Sequence, residues 1–264
     1  MPQTRFRLST ALAIVPLCAA LLVPGIATAQ VAPVCGASAE FARFERPLTR
    51  TGQRLAGGLP VTIIAIGSSS TAGAFASSSA ASYPSRLEVE LKERFPLATI
   101  KVLNRGANGE EAADMLARLD LSLAEGPDLI LWQVGTNAVL RDHNVDVSGV
   151  LIRQGVERMK AYGADVVLID PQFAPKVLAK PDAQGMVDLI RATAKAENVD
   201  VFHRFDVMRQ WREKSQIPFE VFLSPDQLHM NDWSYGCLAK LLSVAIGEAA
   251  TRATSVAGGS APHL

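Results

Sequence analysis

Three side chains of this sequence have the chemistry of an activated nucleophile and its base. Ser69 follows an apolar run directly, in a stretch rich in glycine and hydroxyl residues, whereas Asp226 and His229 lie near the other end of the chain. A serine hydroxyl is a weak nucleophile until a neighbouring base removes its proton. A carboxylate close to a histidine can bind its Nδ1–H and hold the ring in the productive tautomer. We therefore predict that Ser69 is a nucleophile, His229 its base and Asp226 the residue that orients His229.

Acyl transfer through a serine also needs donors for the negative charge that develops on the carbonyl oxygen. The backbone N–H groups of Ser69 and Gly106 and the side-chain amide of Asn137 are predicted to form this oxyanion hole. Glycine permits close approach of the backbone, and an asparagine amide is a donor that does not titrate. Gln172 and Phe173 follow another predicted strand, and they either line the pocket or pack as ordinary loop residues.

Other uses of these residues stay open at the level of sequence. A Ser/Gly turn after a first strand can bind phosphate through backbone N–H groups, but no P-loop lysine stands at the usual spacing. A non-catalytic carbohydrate-binding module is a second alternative. His143, His203 and His263 are expected to be structural or solvated. The histidines and acids show no metal-ligand spacing, so we predict no metal and no cofactor.

The surrounding elements are predicted to bring the candidate residues together. Apolar runs at 61–66, 100–103, 129–134 and 166–169, with a weaker one around Val201, are typical of buried strands. Segments with helical periodicity separate them, which predicts a parallel sheet covered by helices on both faces. Right-handed crossovers place the carboxyl ends of all strands at one edge, where open α/β sheets bind ligands. The last helix is predicted to run over about 232–250.

Four short motifs at these strand ends and in the late loop resemble those of the SGNH/GDSL hydrolase superfamily. They are Ile66-Gly67-Ser68-Ser69-Ser70-Thr71, Asn104-Arg105-Gly106-Ala107-Asn108-Gly109, Gly135-Thr136-Asn137 and Asp226-Gln227-Leu228-His229. The resemblance spans most of the mature chain. It implies a flavodoxin-like three-layer α/β/α sandwich with a parallel sheet of about five strands, and ester hydrolysis through an acyl-enzyme.

The resemblance implies the same catalytic and oxyanion roles for the residues named above. Two positions depart from it. Ser68 stands where the family usually has an aspartate, and Ala138 stands where an acid often follows the asparagine of the third motif. Neither position transfers a proton in the predicted mechanism, so the departures bear on the subgroup and the substrate.

The N-terminus is typical of a secretory signal peptide. Arg5 and Arg7 precede a largely apolar stretch over 8–22, and a small-residue cleavage site ends at Ala29. We predict a signal peptide over 1–29, an irregular lead-in over 30–58, the hydrolase domain over 59–251 and a disordered tail over 252–264. The protein is then secreted or periplasmic without a stable membrane anchor; an uncleaved anchor is the alternative.

Cys35 and Cys237 remain after removal of the signal peptide. Two cysteines in an exported protein favour a disulfide, and two separate buried thiols are the alternative. The sequence has 26 basic and 26 acidic residues. This balance gives no electrostatic reason to predict binding to nucleic acid.

The combined prediction is an exported serine ester hydrolase that acts on short acyl esters, chiefly acetyl esters, of a carbohydrate or cell-wall glycan. The two longest turns after strands, 138–149 and 171–181, contain charged residues and prolines where a lid would have an amphipathic helix. A shallow pocket of this kind offers little apolar surface to a long acyl chain. A lysophospholipase or thioesterase of the same fold is the alternative. The sequence makes no prediction of the oligomeric state.

Overall fold

Apolar strands form the centre of the fold in a computed structural model that describes residues 1–3 and 34–258, with side chains up to 253. In this part of the chain the sheet has five parallel strands in the order β2-β1-β3-β4-β5. The strands are β1 Val61–Gly67, β2 Ile100–Gly106, β3 Leu129–Gln133, β4 Asp165–Ile169 and β5 Asp200–Phe202. This order confirms the predicted flavodoxin-like α/β/α fold.

The helices cover the sheet in two groups. In one group α12 packs on both α1 and α3, and α4, α5, α7 and α9 form the other group. The helices are α1 Thr49–Ala56, α2 Ser69–Ala72, α3 Tyr83–Arg94, α4 Ala112–Ala117, α5 Leu119–Leu123, α6 Thr136–Leu140, α7 Val145–Tyr162, α8 Pro175–Leu178, α9 Ala183–Glu197, α10 Arg204–Glu213, α11 Phe219–Phe222 and α12 Asp232–Gly258. Every residue of β3 is buried, as expected for a strand covered on both faces.

The strand order places the carboxyl end of β1 at a special point of the sheet. The chain runs from β1 to β2 on one side and then crosses to β3 on the other side of β1. Ligands bind at such a reversal of strand order because the loops on either side diverge there. Ser69 follows β1 directly, and Gly67 at the end of β1 pairs with Gly106 at the end of β2.

The structure corrects two expectations about the ends of the domain. The lead-in predicted to be irregular contains α1, and residues from Val34 onward belong to one compact unit. The last helix does not end near residue 250 but continues to Gly258, so residues 252–258, predicted to be disordered, are helical. Both differences have one cause, since α1 packs closely on α12. A Cβ atom at Gly52 would come within 2.3 Å of the Ala250 carbonyl oxygen.

A disulfide joins Cys35, ahead of α1, to Cys237 in α12, with the two Cα atoms 5.1 Å apart. It ties together segments that are 202 residues apart in the sequence. The predicted signal peptide lies outside the described residues apart from positions 1–3. Within the part of the chain that is described, no helix combines the length and the apolar character needed to cross a membrane.

Candidate active site

The nucleophile candidate lies at the start of a helix. Ser69 is the first residue of α2, and the carbonyl of Ser68 accepts hydrogen bonds from the N–H groups of Thr71 and Ala72. The backbone N–H of Ser69 donates to no protein acceptor among the described residues. It is therefore free to donate to a ligand, and the helix places it beside the Ser69 hydroxyl.

His229 joins the two other predicted catalytic residues. Its Nε2 lies 2.7 Å from Ser69 Oγ, and its Nδ1 lies 2.5 Å from Asp226 Oδ2. The side chains of His229 and Asp226 are only 15% and 21% exposed, so the contacts are largely shielded from water. The structure thus brings Ser69 to Asp226 and His229, which lie near the other end of the sequence, in the hydrogen-bonded arrangement that an activated serine requires.

Four hydrogen bonds fix the ionised form of Asp226. Oδ1 accepts from Ser224 Oγ at 2.7 Å and from the backbone N–H groups of Leu228 and His229 at 3.0 Å each, while Oδ2 faces His229 Nδ1. Burial alone would raise the pKa of the carboxyl, but these donors outweigh it and lower the pKa of Asp226 to about 2. Asp226 is therefore an anion at neutral pH and stabilises positive charge on His229.

The loop that carries Asp226 and His229 is closed on itself. The N–H of Ser224 donates to the carbonyl of His229 at 2.8 Å, and Leu223 bridges Met230 in antiparallel fashion just outside this pair. Gln227, between the two catalytic candidates, has a φ of 59°. This left-handed residue turns the chain tightly enough for the Asp226 carboxylate to reach both the backbone and the ring of His229.

The second predicted oxyanion donor is corrected. The N–H of Gly106 donates to Asn104 Oδ1 at 2.9 Å, and a Cβ atom at Gly106 would lie 2.1 Å from the backbone nitrogen of Ala72. Glycine is needed at this position because β2 packs directly on α2. Gly109, at the end of the same motif, has a φ of 77°, and its N–H donates to no protein acceptor in the described chain. The free glycine N–H of this turn is therefore that of Gly109.

The third predicted donor, Asn137, lies in the first turn of α6 and faces the same turn. Its Nδ2 donates to the carbonyl of Glu110 at 2.8 Å, which fixes the amide and leaves its second N–H for another acceptor. Arg141 holds the turn from the other side, since its Nη2 donates to the carbonyl of Gly109 at 2.9 Å and its Nη1 pairs with Glu111. Asn137 and Arg141 thus bind the two consecutive carbonyls of Glu110 and Gly109.

The two residues proposed as pocket lining are packed inside the protein. Gln172 is 1% and Phe173 is 7% exposed. Phe173 packs against the rings of Phe205 and Phe219, with centroids 5.2 Å and 6.1 Å away. Neither residue offers a surface to a ligand, so the alternative of ordinary packing describes Phe173. Gln172 Nε2, however, lies 3.4 Å from the carbonyl oxygen of Leu228 and supports the catalytic loop from behind.

The two departures from the family pattern are buried. Ser68 is 2% exposed, and both its N–H and its hydroxyl donate to Gln133 Oε1, at 3.0 Å and 3.1 Å. Ala138 is 5% exposed on α6. An acid at either position would be taken out of water, and the polar group that meets Ser68 is an acceptor. The neutral residues at these positions therefore fit their surroundings.

Sequence reasoning missed two contacts of the candidate triad. Ser224 donates to Asp226, and its hydroxyl is two residues away in the sequence, a spacing typical of local side-chain bonds. Phe75 stacks on His229 with ring centroids 5.2 Å apart and an interplanar angle of 24°. A single large aromatic residue within a run of alanines and serines was the available signal.

The remaining histidines lie outside this arrangement. His143 Nδ1 is 2.9 Å from Glu111 Oε2 on the surface, His203 precedes α10, and His263 is not among the described residues. Within residues 1–3 and 34–258, no three His, Cys, Asp or Glu side chains are grouped so that they could hold a metal ion.

A model of the Non-GDSL lipase-like family matches residues 34–252 of the chain. The match covers all the residues of the candidate site. No curated protein sequence gives a match.

Several solved structures have the same fold at low sequence identity. TesA is 20% identical with a TM-score of 0.61, covering 71% of this chain and 99% of its own. A two-domain esterase (CEX) active on acetylated mannans is 20% identical with a TM-score of 0.66, covering 80% of this chain and 56% of its own. Axe2, an acetylxylan esterase from Geobacillus stearothermophilus, is 20% identical with a TM-score of 0.60, covering 71% and 94%.

Proposed function

The chain belongs to the Non-GDSL lipase-like family and is an SGNH/GDSL-type carboxylic ester hydrolase; from this premise we propose that Ser69, His229 and Asp226 carry out its reaction. The observation that carries the proposal is the continuous set of contacts from Asp226 Oδ2 through both ring nitrogens of His229 to Ser69 Oγ, at 2.5 Å and 2.7 Å. The Asp226 carboxylate can accept from His229 Nδ1, and His229 Nε2 can accept the proton of the Ser69 hydroxyl, as their proposed roles require.

In the first half of the reaction, Ser69 Oγ attacks the acyl carbon of the ester while His229 Nε2 takes the hydroxyl proton. The imidazolium that forms is stabilised by the Asp226 carboxylate, whose lowered pKa keeps it ionised. When the tetrahedral intermediate collapses, the bond to the alcohol oxygen breaks and His229 returns the proton to that oxygen. The products of this half are the free alcohol and an acyl group on Ser69.

In the second half, a water molecule attacks the acyl carbon while His229 Nε2 accepts one of its protons. Collapse of this second intermediate breaks the bond to Ser69 Oγ, which recovers the proton from His229. The carboxylic acid leaves and the enzyme returns to its starting state. One water is consumed for each ester bond cleaved, and no other reactant is needed.

Three donors serve the oxyanion of both intermediates in this proposal: the N–H of Ser69, the free N–H of Gly109 and the second N–H of Asn137 Nδ2. Gly109 replaces Gly106, whose N–H is taken by Asn104. The bond from Asn137 to the Glu110 carbonyl supports the assignment because it holds the amide beside the residue that follows Gly109. Donors fixed in advance stabilise developing charge without reorganisation at the moment of reaction.

A fluorophosphonate probe tests the proposal, because it labels only an activated serine. The wild-type protein should be labelled and should hydrolyse p-nitrophenyl acetate, whereas Ser69→Ala should do neither. Ser78→Ala, which removes an exposed hydroxyl from the loop after the nucleophile, is the matched control and should behave as wild type. The Ser69→Ala/His229→Ala double variant should be little worse than either single variant, since the two residues act as a unit. Turnover by Ser69→Ala at the wild-type rate would end the proposal.

The proposal places the protein outside the cytoplasm, in the periplasm or secreted. The disulfide between Cys35 and Cys237 supports this, because disulfides persist in oxidising compartments. Expression through a bacterial secretory pathway, followed by N-terminal sequencing and alkylation, is the test. We expect a mature protein that begins at Gln30 and has no free thiol under denaturing, non-reducing conditions. Retention of residues 1–29 would overturn the cleavage site, and two alkylatable thiols would overturn the bridge.

The proposed substrate is a short acyl ester, chiefly an acetyl ester, of a carbohydrate or cell-wall glycan. Two similar structures are described as esterases of acetylated mannans and of acetylxylan, but at 20% identity they inform the fold and not the substrate. The preference for a short acyl group follows instead from the two longest turns after strands in this chain. Val139 and Val177, in these two turns, are 1% and 0% exposed, and the large apolar side chains that are exposed there are Val147 and Leu178, at 59% and 40%. Two such side chains present less apolar surface than the amphipathic helix of a lid.

A further inference from the structure

An exposed aromatic ring lies against the proposed catalytic base. Phe75 is 56% exposed and stacks on the ring of His229, with centroids 5.2 Å apart and planes 24° apart. The nine residues that follow Ser69 up to Ser78 contain no other large apolar side chain. The ring of Phe75 is therefore the apolar surface that this loop contributes beside His229.

The backbone holds Phe75 in this place against its own preference. Its φ of 62° lies in the left-handed region, which is unfavourable for a bulky side chain. Hydrogen bonds fix the chain on both sides. Tyr235 Oη donates to the carbonyl of Ala74 at 2.8 Å, and Ser77 donates from its N–H and its hydroxyl to the carboxylate of Asp232, at 2.8 Å and 2.5 Å. Strain that is maintained in this way is a feature of functional sites.

The position of the ring indicates which part of the substrate it meets. In the proposed reaction His229 Nε2 delivers its proton to the oxygen of the departing alcohol, so this alcohol must lie beside the imidazole. A group that packs on the imidazole and remains half exposed lies beside the alcohol as well. The acyl carbon, in contrast, must lie within reach of Ser69 Oγ, which contacts Nε2, whereas Asp226 contacts Nδ1 of the same ring.

We propose that Phe75 is the specificity-determining residue for the alcohol part of the ester and favours a ring-shaped alcohol, such as a pyranose, over a small acyclic one. The inference rests on the proposed function. A pyranose presents an apolar face of C–H groups that can cover an aromatic ring, whereas its hydroxyl groups stay in water at the rim. A methyl or ethyl group is too small to cover the ring and gains little from it.

Two acetyl esters with different alcohols separate this role from a general effect on catalysis. The substrates are a mono-acetylated methyl xylopyranoside and methyl acetate, and the variants are Phe75→Ala and Phe75→Trp. Val89→Ala is the control, because Val89 is also 56% exposed but lies on α3. We expect Phe75→Ala to lower kcat/KM for the sugar ester by roughly tenfold, mainly through KM. The value for methyl acetate should change less than about twofold, and Phe75→Trp should retain the sugar preference.

The rate of labelling by a fluorophosphonate provides an independent measure of Ser69 and His229, because fluoride leaves from this probe and no alcohol is involved. We expect Phe75→Ala to be labelled at a rate close to that of the wild type. Equal losses on both esters, accompanied by slower labelling, would show that Phe75 only holds His229 in place and would overturn the inference. Unchanged kinetics on both esters would overturn it as well. A wild-type protein that is not labelled and cleaves neither ester would overturn the proposed function itself, and the inference with it.

Discussion

Gln172 Nε2 lies 3.4 Å from the carbonyl oxygen of Leu228, the residue that precedes His229. The other end of the amide is held from inside the protein, because Gln172 Oε1 accepts from Arg204 Nη2 and from Thr136 Oγ1, each at 3.0 Å. Burial lowers the pKa of Arg204 to about 10, so its guanidinium remains charged at neutral pH. A buried cation thus orients a neutral amide, and the amide supports the loop that carries the proposed base.

Two substitutions of Gln172 should separate its contact with Arg204 from its contact with the Leu228 carbonyl. Gln172→Leu leaves Arg204 and the Leu228 carbonyl without this partner and should cost about 2 kcal/mol in free energy of unfolding, together with a lower kcat. Gln172→Glu can still accept from Arg204 but cannot donate to Leu228. It should therefore keep most of the stability and lose kcat. Urea denaturation and steady-state kinetics measure both effects.

Gln184→Leu is the matched control for these variants, since Gln184 is exposed on α9 and bonds to Asp188 only at the surface. Gln184→Leu should have the unfolding free energy and the kcat of the wild type. If Gln172→Glu has full activity, the bond to Leu228 does not position His229.

The lowered pKa of Asp226 predicts a loss of stability in acid. The pKa of Asp226 in the folded state is about 2, against an ordinary value of 3.8. Because the folded value is lower, the contribution is fully present above about pH 4 and is lost as the pH falls through the folded pKa. Its size is about 2 kcal/mol. Between pH 5 and pH 2, the unfolding free energy of the wild type should therefore fall by about this amount more than that of Asp226→Asn.

Asp120→Asn serves as the control for this measurement, because the Asp120 side chain is 83% exposed and pairs with Arg158 on the surface. Its unfolding free energy should follow that of the wild type over the same pH range. A parallel decline of the wild type and Asp226→Asn would contradict the prediction and would place the acid sensitivity elsewhere.

Asn137→Ala should remove a donor that acts mainly in the transition state. We expect kcat to fall about 10²–10³-fold with a small change in KM. Asn137→Asp should be at least as damaging, because it directs a carboxylate at the Glu110 carbonyl, which now accepts from Nδ2 at 2.8 Å. Steady-state kinetics on p-nitrophenyl acetate measure both variants. An effect confined to KM would make Asn137 a substrate-binding residue instead.

The sheet could be predicted from the sequence because its strands are continuous apolar runs, but α1 could not. The buried residues of α1 are Thr51 and Gly52, and the helix approaches α12 so closely that a Cβ at Gly52 would collide with Ala250. A helix that buries small and polar residues leaves no apolar periodicity in the sequence. The contact between α1 and α12 extends past residue 250, since a Cβ at Gly52 would also meet Ala253, which is 7% exposed.

The candidate site, like the fold, could be predicted only in part from the sequence. The contact among Ser69, Asp226 and His229, the proposed catalytic residues, could be predicted because each proposed role demands a particular side chain. The glycine with the free N–H, the proposed oxyanion donor, could not, because every residue except proline has a backbone N–H and the motif contains two glycines. The choice depends on Asn104, whose side chain accepts from Gly106 and leaves Gly109 free. Which N–H is free is a property of the folded turn and not of the spacing.

Ser68→Asp introduces the residue usual in the SGNH/GDSL superfamily and should destabilise this protein. The side chain of Ser68 faces Gln133 Oε1, which also accepts from Thr71 Oγ1 at 3.3 Å, so a carboxylate would be buried against an acceptor. We expect a loss of about 3 kcal/mol for Ser68→Asp and about 1 kcal/mol for Ser68→Ala, both measured by urea denaturation. Wild-type stability of Ser68→Asp would mean that Gln133 can turn its Nε2 toward the carboxylate.

The acyl preference follows from the two segments that could have formed a lid. Residues 138–149 contain the end of α6, and residues 171–181 contain α8. Ala138 and Val139 in the first segment and Ala174 and Val177 in the second are at most 5% exposed. Lys180 Nζ also lies 2.5 Å from Asp142 Oδ2, which joins the two segments across the surface. Most of their apolar side chains are buried or half-buried; the exceptions among the large ones are Val147 and Leu178, which are 59% and 40% exposed and offer only a small apolar surface to an acyl chain.

An apolar channel would add about 0.8 kcal/mol for each CH₂ group that it buries, so kcat/KM would rise steeply with acyl length. Because these two segments offer so little apolar surface, we expect kcat/KM to be highest for p-nitrophenyl acetate and to fall through butyrate, octanoate and palmitate. The leaving group is the same in all four esters, so the comparison isolates the acyl chain from any contact of the alcohol with Phe75. A steady rise toward octanoate or palmitate would overturn the short-acyl proposal and favour a lysophospholipase of the same fold, because the additional CH₂ groups would then have to be buried by a surface other than these two segments.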